Sequence, residues 1–181
     1  MKTIYFAASS LDGFISDKED SLEWLFQFGE PGGNYIGSFV DTVGALAMGS
    51  TTYRWMYDNM QGFGDGAWPY KVPAFVFSNR DLPVYPDADI RFVRGDVRPV
   101  HRQMVLEAKG RNIWIVGGGE LAGTFYDARL LDELIIQFVS VTLGEGAPLF
   151  PRTMEKPLKL ESVRRLDQEF AELRYSVRYH D

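Results

Sequence analysis

The sequence predicts an α/β fold in three layers, with helices on both faces of a mixed, mostly parallel sheet and an antiparallel C-terminal hairpin. Short β-rich apolar runs stand at residues 3–8, 44–49, 74–77, 90–93, 112–116 and 134–141, with helical patterns interspersed among them. Strands that alternate with helices are joined by crossovers, and crossovers make parallel neighbours. Near the end, Ala171, Leu173, Tyr175, Val177 and Tyr179 alternate with Glu172, Arg174, Ser176 and Arg178. A period of two marks a half-buried strand, here paired with residues 158–166 across a turn at Asp167 and Gln168.

Each element has a local reason. Residues 3–8 are a buried strand, and the polar, glycine-containing residues 9–20 are a loop. A short helix begins at Ser21 with Asp20 or Ser21 as N-cap, and the glycines of residues 29–33 end it. Residues 44–49 are small and apolar, and Ser50, Thr51 and Thr52 then offer caps for a helix reaching about Tyr57. Residues 59–70 read as a loop rich in glycine and aromatic side chains. That loop suits a mobile lid or a subunit contact. Val97, Val100, Met104 and Ala108 share one side of a helix over residues 97–108. The strand at 112–116 runs into Gly117, Gly118 and Gly119, and a helix follows over 120–128.

Composition narrows the chemistry. The 181 residues suit a single domain over residues 1–181, which buries roughly 70% of its unfolded surface without a disulfide or metal staple. With 19 Lys and Arg against 25 Asp and Glu, the net charge of −6 argues against a general nucleic-acid binder. Absent cysteine removes thiol catalysis, thiolate zinc and iron–sulfur clusters. His101 and His180 are too far apart in sequence to suggest a histidine metal site, and each reads as a surface side chain. No metal is expected. The first residues do not form a signal peptide, and no run approaches the ~20 apolar residues of a membrane span. A cytoplasmic protein with no membrane partner is the expectation.

Two strand-to-helix junctions point to an anion. Met48-Gly49-Ser50-Thr51-Thr52 and Val116-Gly117-Gly118-Gly119-Glu120 both place free backbone N–H groups at a helix start, where the helix dipole favours negative charge. The second junction also reads as a plain tight turn. Neither has the spacing of G-x-G-x-x-G or the lysine of a P-loop, which disfavours a Rossmann dehydrogenase and a P-loop ATPase.

Five motifs carry a resemblance. They are Ala7-Ala8-Ser9-Ser10-Leu11-Asp12-Gly13-Phe14-Ile15, Met48-Gly49-Ser50-Thr51-Thr52-Tyr53, Phe77-Ser78-Asn79-Arg80, Ile115-Val116-Gly117-Gly118-Gly119-Glu120-Leu121 and Leu143-Gly144-Glu145-Gly146-Ala147-Pro148-Leu149-Phe150. In this order and spacing the chain resembles the dihydrofolate reductase-like fold. Nearest are small bacterial proteins related to the reductase domain of the riboflavin-biosynthesis deaminase/reductase.

The resemblance implies NADPH, a homodimer and a small-molecule substrate. Ala7 and Ala8, with the loop from Gly13 to Ile15, would flank the nicotinamide. Gly49, Ser50, Thr51 and Thr52 would hold the diphosphate from one side; Gly117, Gly118, Gly119, Glu120 and Leu121 would hold it from the other. Ser78, Asn79 and Arg80 would lie near the adenosine ribose and its 2′-phosphate, and a guanidinium fork suits that phosphate. Dihydrofolate reductases commonly carry a basic residue where this chain has Ser50, and often one where it has Glu120. Arg80 and Arg54 are then left to read the 2′-phosphate.

Hydride transfer needs no protein nucleophile, only a positioned acceptor and a proton source or polarising group. By the resemblance a first-helix carboxylate supplies the latter. Glu23 is the first candidate and Asp20 the second, with Asp12 behind them; each also reads as a cap, first-turn acid or turn former. Gln137 matches a position where the family turns a polar group into the pocket, and it reads equally as a solvent-facing strand residue. Trp24, Phe28, Tyr53, Trp55 and Tyr57 would wall a flat-ring substrate, or else form core. The expected function is NADPH-dependent hydride transfer to a small heterocyclic (pterin- or pyrimidine-like) or carbonyl substrate. The alternatives are a catalytically silent nucleotide-binding or regulatory protein on the same fold, and an interaction module that binds no nucleotide.

Overall fold

The computed structural model describes residues 1–28, 35–60 and 66–179. In chain order the strands are β1 Thr3–Ser10, β2 Phe14–Ser16, β3 Val43–Gly49, β4 Ala74–Phe77, β5 Ile90–Val93, β6 Asn112–Gly117, β7 Glu133–Val139, β8 Ala147–Pro148, β9 Lys159–Arg165 and β10 Phe170–Ser176. The helices are α1 Glu23–Phe26, α2 Tyr35–Val40, α3 Ser50–Met60, α4 Val97–Ala108 and α5 Gly119–Asp127. Eight strands form the main sheet in the order β5-β4-β3-β6-β1-β7-β10-β9, and β2 pairs with β8 beside it. β5, β4, β3, β6, β1 and β7 pair in parallel, whereas β10 is antiparallel to both β7 and β9.

Two apolar layers cover the sheet. On one face Tyr5, Ala45, Ala47, Ile113, Ile115 and Leu134 meet α4 and α5, with Val97, Val100, Met104 and Ala108 turned inward. On the other face Ile4, Phe6, Leu46, Met48 and Trp114 meet Phe39 of α2 and Tyr53 and Met56 of α3. A third cluster beneath α1 joins Trp24 to Val139 and Phe170. Burial on both faces is why the parallel strands read as continuous apolar runs.

Several boundaries differ from the sequence expectation. β1 runs on to Ser10, and β2 sits inside the stretch read as loop. α1 is one turn with Leu22 at its N-cap and no side-chain cap bond; Asp20 adopts φ 58° upstream of it. Ser50, Thr51 and Thr52 lie within α3 rather than capping it, and α3 extends to Met60. The glycines at 29–33, His180, and Gly62, Phe63, Gly64 and Asp65 of the aromatic loop lie outside the described residues. His101 is half-buried, not a plain surface residue. Its Nε2 lies 2.9 Å from the Thr3 hydroxyl, and desolvation lowers its pKa, opposed by the nearby Asp132 charge. Glu172, placed by alternation on a solvent face, is fully buried.

Among the described residues no helix is long and apolar enough to cross a membrane. Nor, among them, does any group of three or more His, Cys, Asp or Glu side chains have a metal-holding arrangement.

Candidate active site

β3 and β6 are neighbours in the sheet, yet the chain leaves them in opposite directions. β3 feeds α3 on one face, and β6 feeds α5 on the other. Parallel strands whose connections part in this way leave a crevice at their C-terminal ends. A cleft of about 450 Å³ lies there, lined by Gly49, Ser50, Thr51 and Thr52 from one junction and Gly118, Gly119, Glu120 and Leu121 from the other. The two helix starts therefore face one space. A Cβ added at Gly49 would come 3.9 Å from the Gly118 nitrogen and 4.0 Å from the Gly117 carbonyl oxygen.

The backbone is arranged to donate. Gly118 is the N-cap of α5 in extended conformation, the Gly117–Gly118 peptide is cis, and the first intrahelical bond runs from Ala122 N–H to Gly118 O at 3.1 Å. The N–H groups of the first α5 turn thus have no intrahelical acceptor. Gly119 has no room for a side chain, since a Cβ would lie 2.5 Å from the carbonyl oxygens of Pro148 and Leu149. Glu120 would oppose an anion, but Arg152 binds it at 2.9 Å and holds Asp127 at the same distance.

The β2–β8 ribbon forms another wall. Ile15 and Ser16 from β2, and Ala147 and Pro148 from β8, line the cleft. Asp12 ties this ribbon down: its carboxylate accepts from the Ser10 hydroxyl at 2.6 Å, Leu143 N–H at 3.0 Å and Gly144 N–H at 2.7 Å. The Ser10 bond leads in lowering its pKa to about 2, the two amides assisting against desolvation. Asp12 is thereby a clamp. Gly13 takes φ 89°, a conformation suited to glycine, and its carbonyl accepts from Leu149 N–H at 2.8 Å.

A second hollow of about 380 Å³ shares Ser50, Phe77, Leu121 and Thr124 with the cleft. Its outer wall is Ser78, Asn79 and Arg80 after β4, and Arg94 and Gly95 after β5. Ser78 fixes this turn by exchanging two 2.9 Å bonds with the Arg80 backbone. Arg54 does not join them; it pairs with Asp58 on α3 at 2.7 Å. Arg94, bound to Asp81 at 3.0 Å, takes the position beside Arg80. Sequence reading missed Arg94, although β4 and β5 are parallel and adjacent, so their following residues must emerge side by side.

The remaining candidates divide. Asp20 lines the cleft, but Glu23 is exposed and does not line it. Tyr53 is core rather than pocket wall: it is fully buried, its hydroxyl donates to Pro83 O at 2.7 Å and it accepts from Tyr85 N–H at 3.1 Å. Tyr57 packs against the same core, edge-on to Tyr85. Trp24 and Phe28 face the cluster of Val139 and Phe170, while Trp55 lines the cleft and stacks on Phe26 at 5.6 Å. Ala7 packs on the α4–α5 side; Ala8 lies opposite Gln137 on the other face. Gln137 is 2% exposed, so its solvent-facing reading is excluded. Leu22, Phe77, Thr124, Ala147 and Pro148 are cleft residues to which sequence reading assigned no site role, although Phe77, Ala147 and Pro148 stand in the motifs that carry the resemblance.

Known proteins share this architecture. The RibD C-terminal domain family model matches residues 1–171. The uncharacterised Bacillus subtilis protein YwjB is 34% identical over 168 residues, covering 92% of this chain and 93% of its own. A protein from Shewanella sp. PV-4, described as a riboflavin biosynthesis protein, superposes with TM-score 0.78 at 30% identity, covering 98% of this chain and all of its own. Dihydrofolate reductase from Enterococcus faecalis superposes with TM-score 0.60 at 16% identity, covering 97% and 95%, and shows the fold. The opposed glycine junctions thus stand on a dihydrofolate reductase-like scaffold, and the chain belongs to the RibD C-terminal domain family.

Proposed function

We propose that the protein is an NADPH-dependent reductase that transfers a hydride to a small heterocyclic or carbonyl substrate. The observation that carries this reading is the convergence of the α3 and α5 starts on one cleft that continues to Arg80 and Arg94. Two helix N-termini and close-approaching glycines suit a diphosphate, and paired guanidinium groups suit a ribose phosphate. The Enterococcus dihydrofolate reductase is a complex with NADP(H), which supports the same choice.

The residues present fit the cofactor. First-turn amides of both helices would hold the diphosphate, with Ser50, Thr51 and Thr52 adding hydroxyls. Ser78, Asn79, Arg80 and Arg94 would hold the adenosine end. The β2–β8 ribbon, Ala7 and Ala8 would border the nicotinamide and exclude water, which strengthens every polar interaction in the site. When bound, NADPH supplies the hydride. This chain supplies orientation, with Asp20 and Gln137 as the candidate groups that polarise or protonate the acceptor.

The exposure of Glu23 favours a second reading, a nucleotide-binding protein without turnover. Titration of NADPH against intrinsic fluorescence, followed by NADPH oxidation across pterins, pyrimidinones, quinones and small carbonyls, separates the two. Turnover on any member supports the reductase; tight binding with no turnover supports the silent protein. Absence of binding removes both. Saturation at ~100 times the dissociation constant should stabilise the fold by about 2.7 kcal/mol.

The reading includes a homodimer through the terminal strands. β9 is an edge strand on which Leu160 and Val163 are exposed, an arrangement that favours pairing with a second copy. Sedimentation of Leu160→Lys/Val163→Lys should give a monomer where the parent gives a dimer.

A further inference from the structure

Four buried side-chain polar atoms have no hydrogen-bond partner among the described residues, and three of them lie in one patch: Trp24 Nε1, Gln137 Nε2 and Glu172 Oε2. Gln137 and Glu172 are register partners on β7 and β10, and so present their side chains on the same face. Two residues along both strands, and so on the same face, Val139 pairs with Phe170, and Trp24 packs on these two. The residues are 8%, 2% and 0% exposed. Buried polar atoms are ordinarily satisfied, so two donors and one acceptor left bare together need an explanation.

Their neighbours do not provide one. The other Glu172 oxygen takes Arg174 Nε at 3.0 Å, with Arg164 at 3.9 Å, which keeps a carboxylate in this interior position while Oε2 stays bare. The Gln137 amide faces Glu172 across the ladder, yet its nitrogen does not bond to it. Complementary donors and an acceptor left without partners on one face are what a polar ligand edge would satisfy. On the opposite flank Ala8, beside Gln137, leads to the wall assigned to the nicotinamide.

α1 separates this patch from the cleft. Leu22 lines the cleft, Trp24 covers the patch and Phe26 stacks on the cleft residue Trp55. α1 is four residues long with no side-chain cap bond, so little local structure is lost if it shifts.

We propose that Glu172, with Gln137 and Trp24, is the specificity-determining set for the substrate's polar edge, reached from the cleft by a small shift of α1 in which Trp24 stays on the patch. The set takes a neutral planar edge with an N–H beside a C=O: the N–H donates to Glu172 Oε2, and the carbonyl accepts from Gln137 Nε2 and Trp24 Nε1. This deepens the reductase reading and rests on it for the orientation of that edge toward the nicotinamide.

The test uses 2-pyridone, which has this edge, and N-methyl-2-pyridone, which lacks the donor. Each is titrated into the full chain while the Trp24 indole N–H is followed by NMR, the signal being assigned from Trp24→Phe. The expected result is a saturable shift with 2-pyridone, at least tenfold weaker with the N-methyl compound and at least tenfold weaker in Glu172→Gln. An unmoved indole signal, or equal response to the two compounds, overturns the proposal on the parent protein whether or not the variant folds. NADPH affinity measured in parallel keeps the readings apart. Normal NADPH binding with no pyridone response sinks the edge-reading set alone; a pyridone response without NADPH binding sinks the reductase alone.

Discussion

Gly119 lies so close to Leu149 that a Cβ atom there would stand 2.5 Å from the Leu149 carbonyl oxygen. The contact locks the start of α5 against the β8 segment and sets the width of the cleft. Gly119→Ala must push one of them away. We expect a loss of ~1–3 kcal/mol in urea unfolding, as for overpacking elsewhere, together with weaker NADPH binding. Unchanged values in both measurements would show that the junction yields freely.

Asp12 makes the β1–β2 loop acid-sensitive. Its carboxyl has a pKa of about 2 in the folded chain against 3.8 as reference, the Ser10 bond being the main cause. A depressed acid contributes stability that is full above the unfolded value and is lost as pH falls through the folded one. The contribution should therefore fade between about pH 4 and 2, and Asp12→Asn should flatten that part of the stability profile. A profile identical to the parent's, measured by denaturant midpoint, refutes the clamp.

Arg80 and Arg94 should distinguish the two nicotinamide cofactors. A charge-assisted bond to phosphate contributes ~1.5–3 kcal/mol, equivalent to roughly ten- to a hundredfold in affinity. Arg80→Ala and Arg94→Ala should each weaken NADPH by about that factor and leave NADH nearly untouched. Equal losses for both cofactors would place the guanidinium groups away from the 2′-phosphate.

Tyr53→Phe should separate core from site. The hydroxyl donates to Pro83 and accepts from Tyr85, so its removal leaves buried backbone groups unpaired at a cost of ~1–3 kcal/mol. Cofactor affinity and KM should stay within twofold. A collapse of either, with stability intact, returns Tyr53 to the pocket.

Much of the architecture was legible because the strands are buried on both faces and the helices have one apolar side. The inward face of α4, Val97, Val100, Met104 and Ala108, follows directly from its spacing. The two glycine junctions were visible too, since glycine and hydroxyl residues at a strand-to-helix step have a local cause. What stayed hidden depends on distant segments. Glu172 sits in a run of perfect alternation, and its burial depends on where β10 lies, between β7 and β9 in the sheet. Arg94 has no motif around it and gains meaning from the lateral pairing of β4 with β5. Tyr53 and Tyr57 belong to the core because α3 starts at Ser50 itself and lays its aromatic side on the sheet.

Because six strands point the same way, the stretches that line the cleft hang from one rim while the load of folding is borne beneath it. Grafting the segment between β1 and α2 from a relative, with Asp12 and Trp24 kept for stability, is thus a direct way to retarget the molecule.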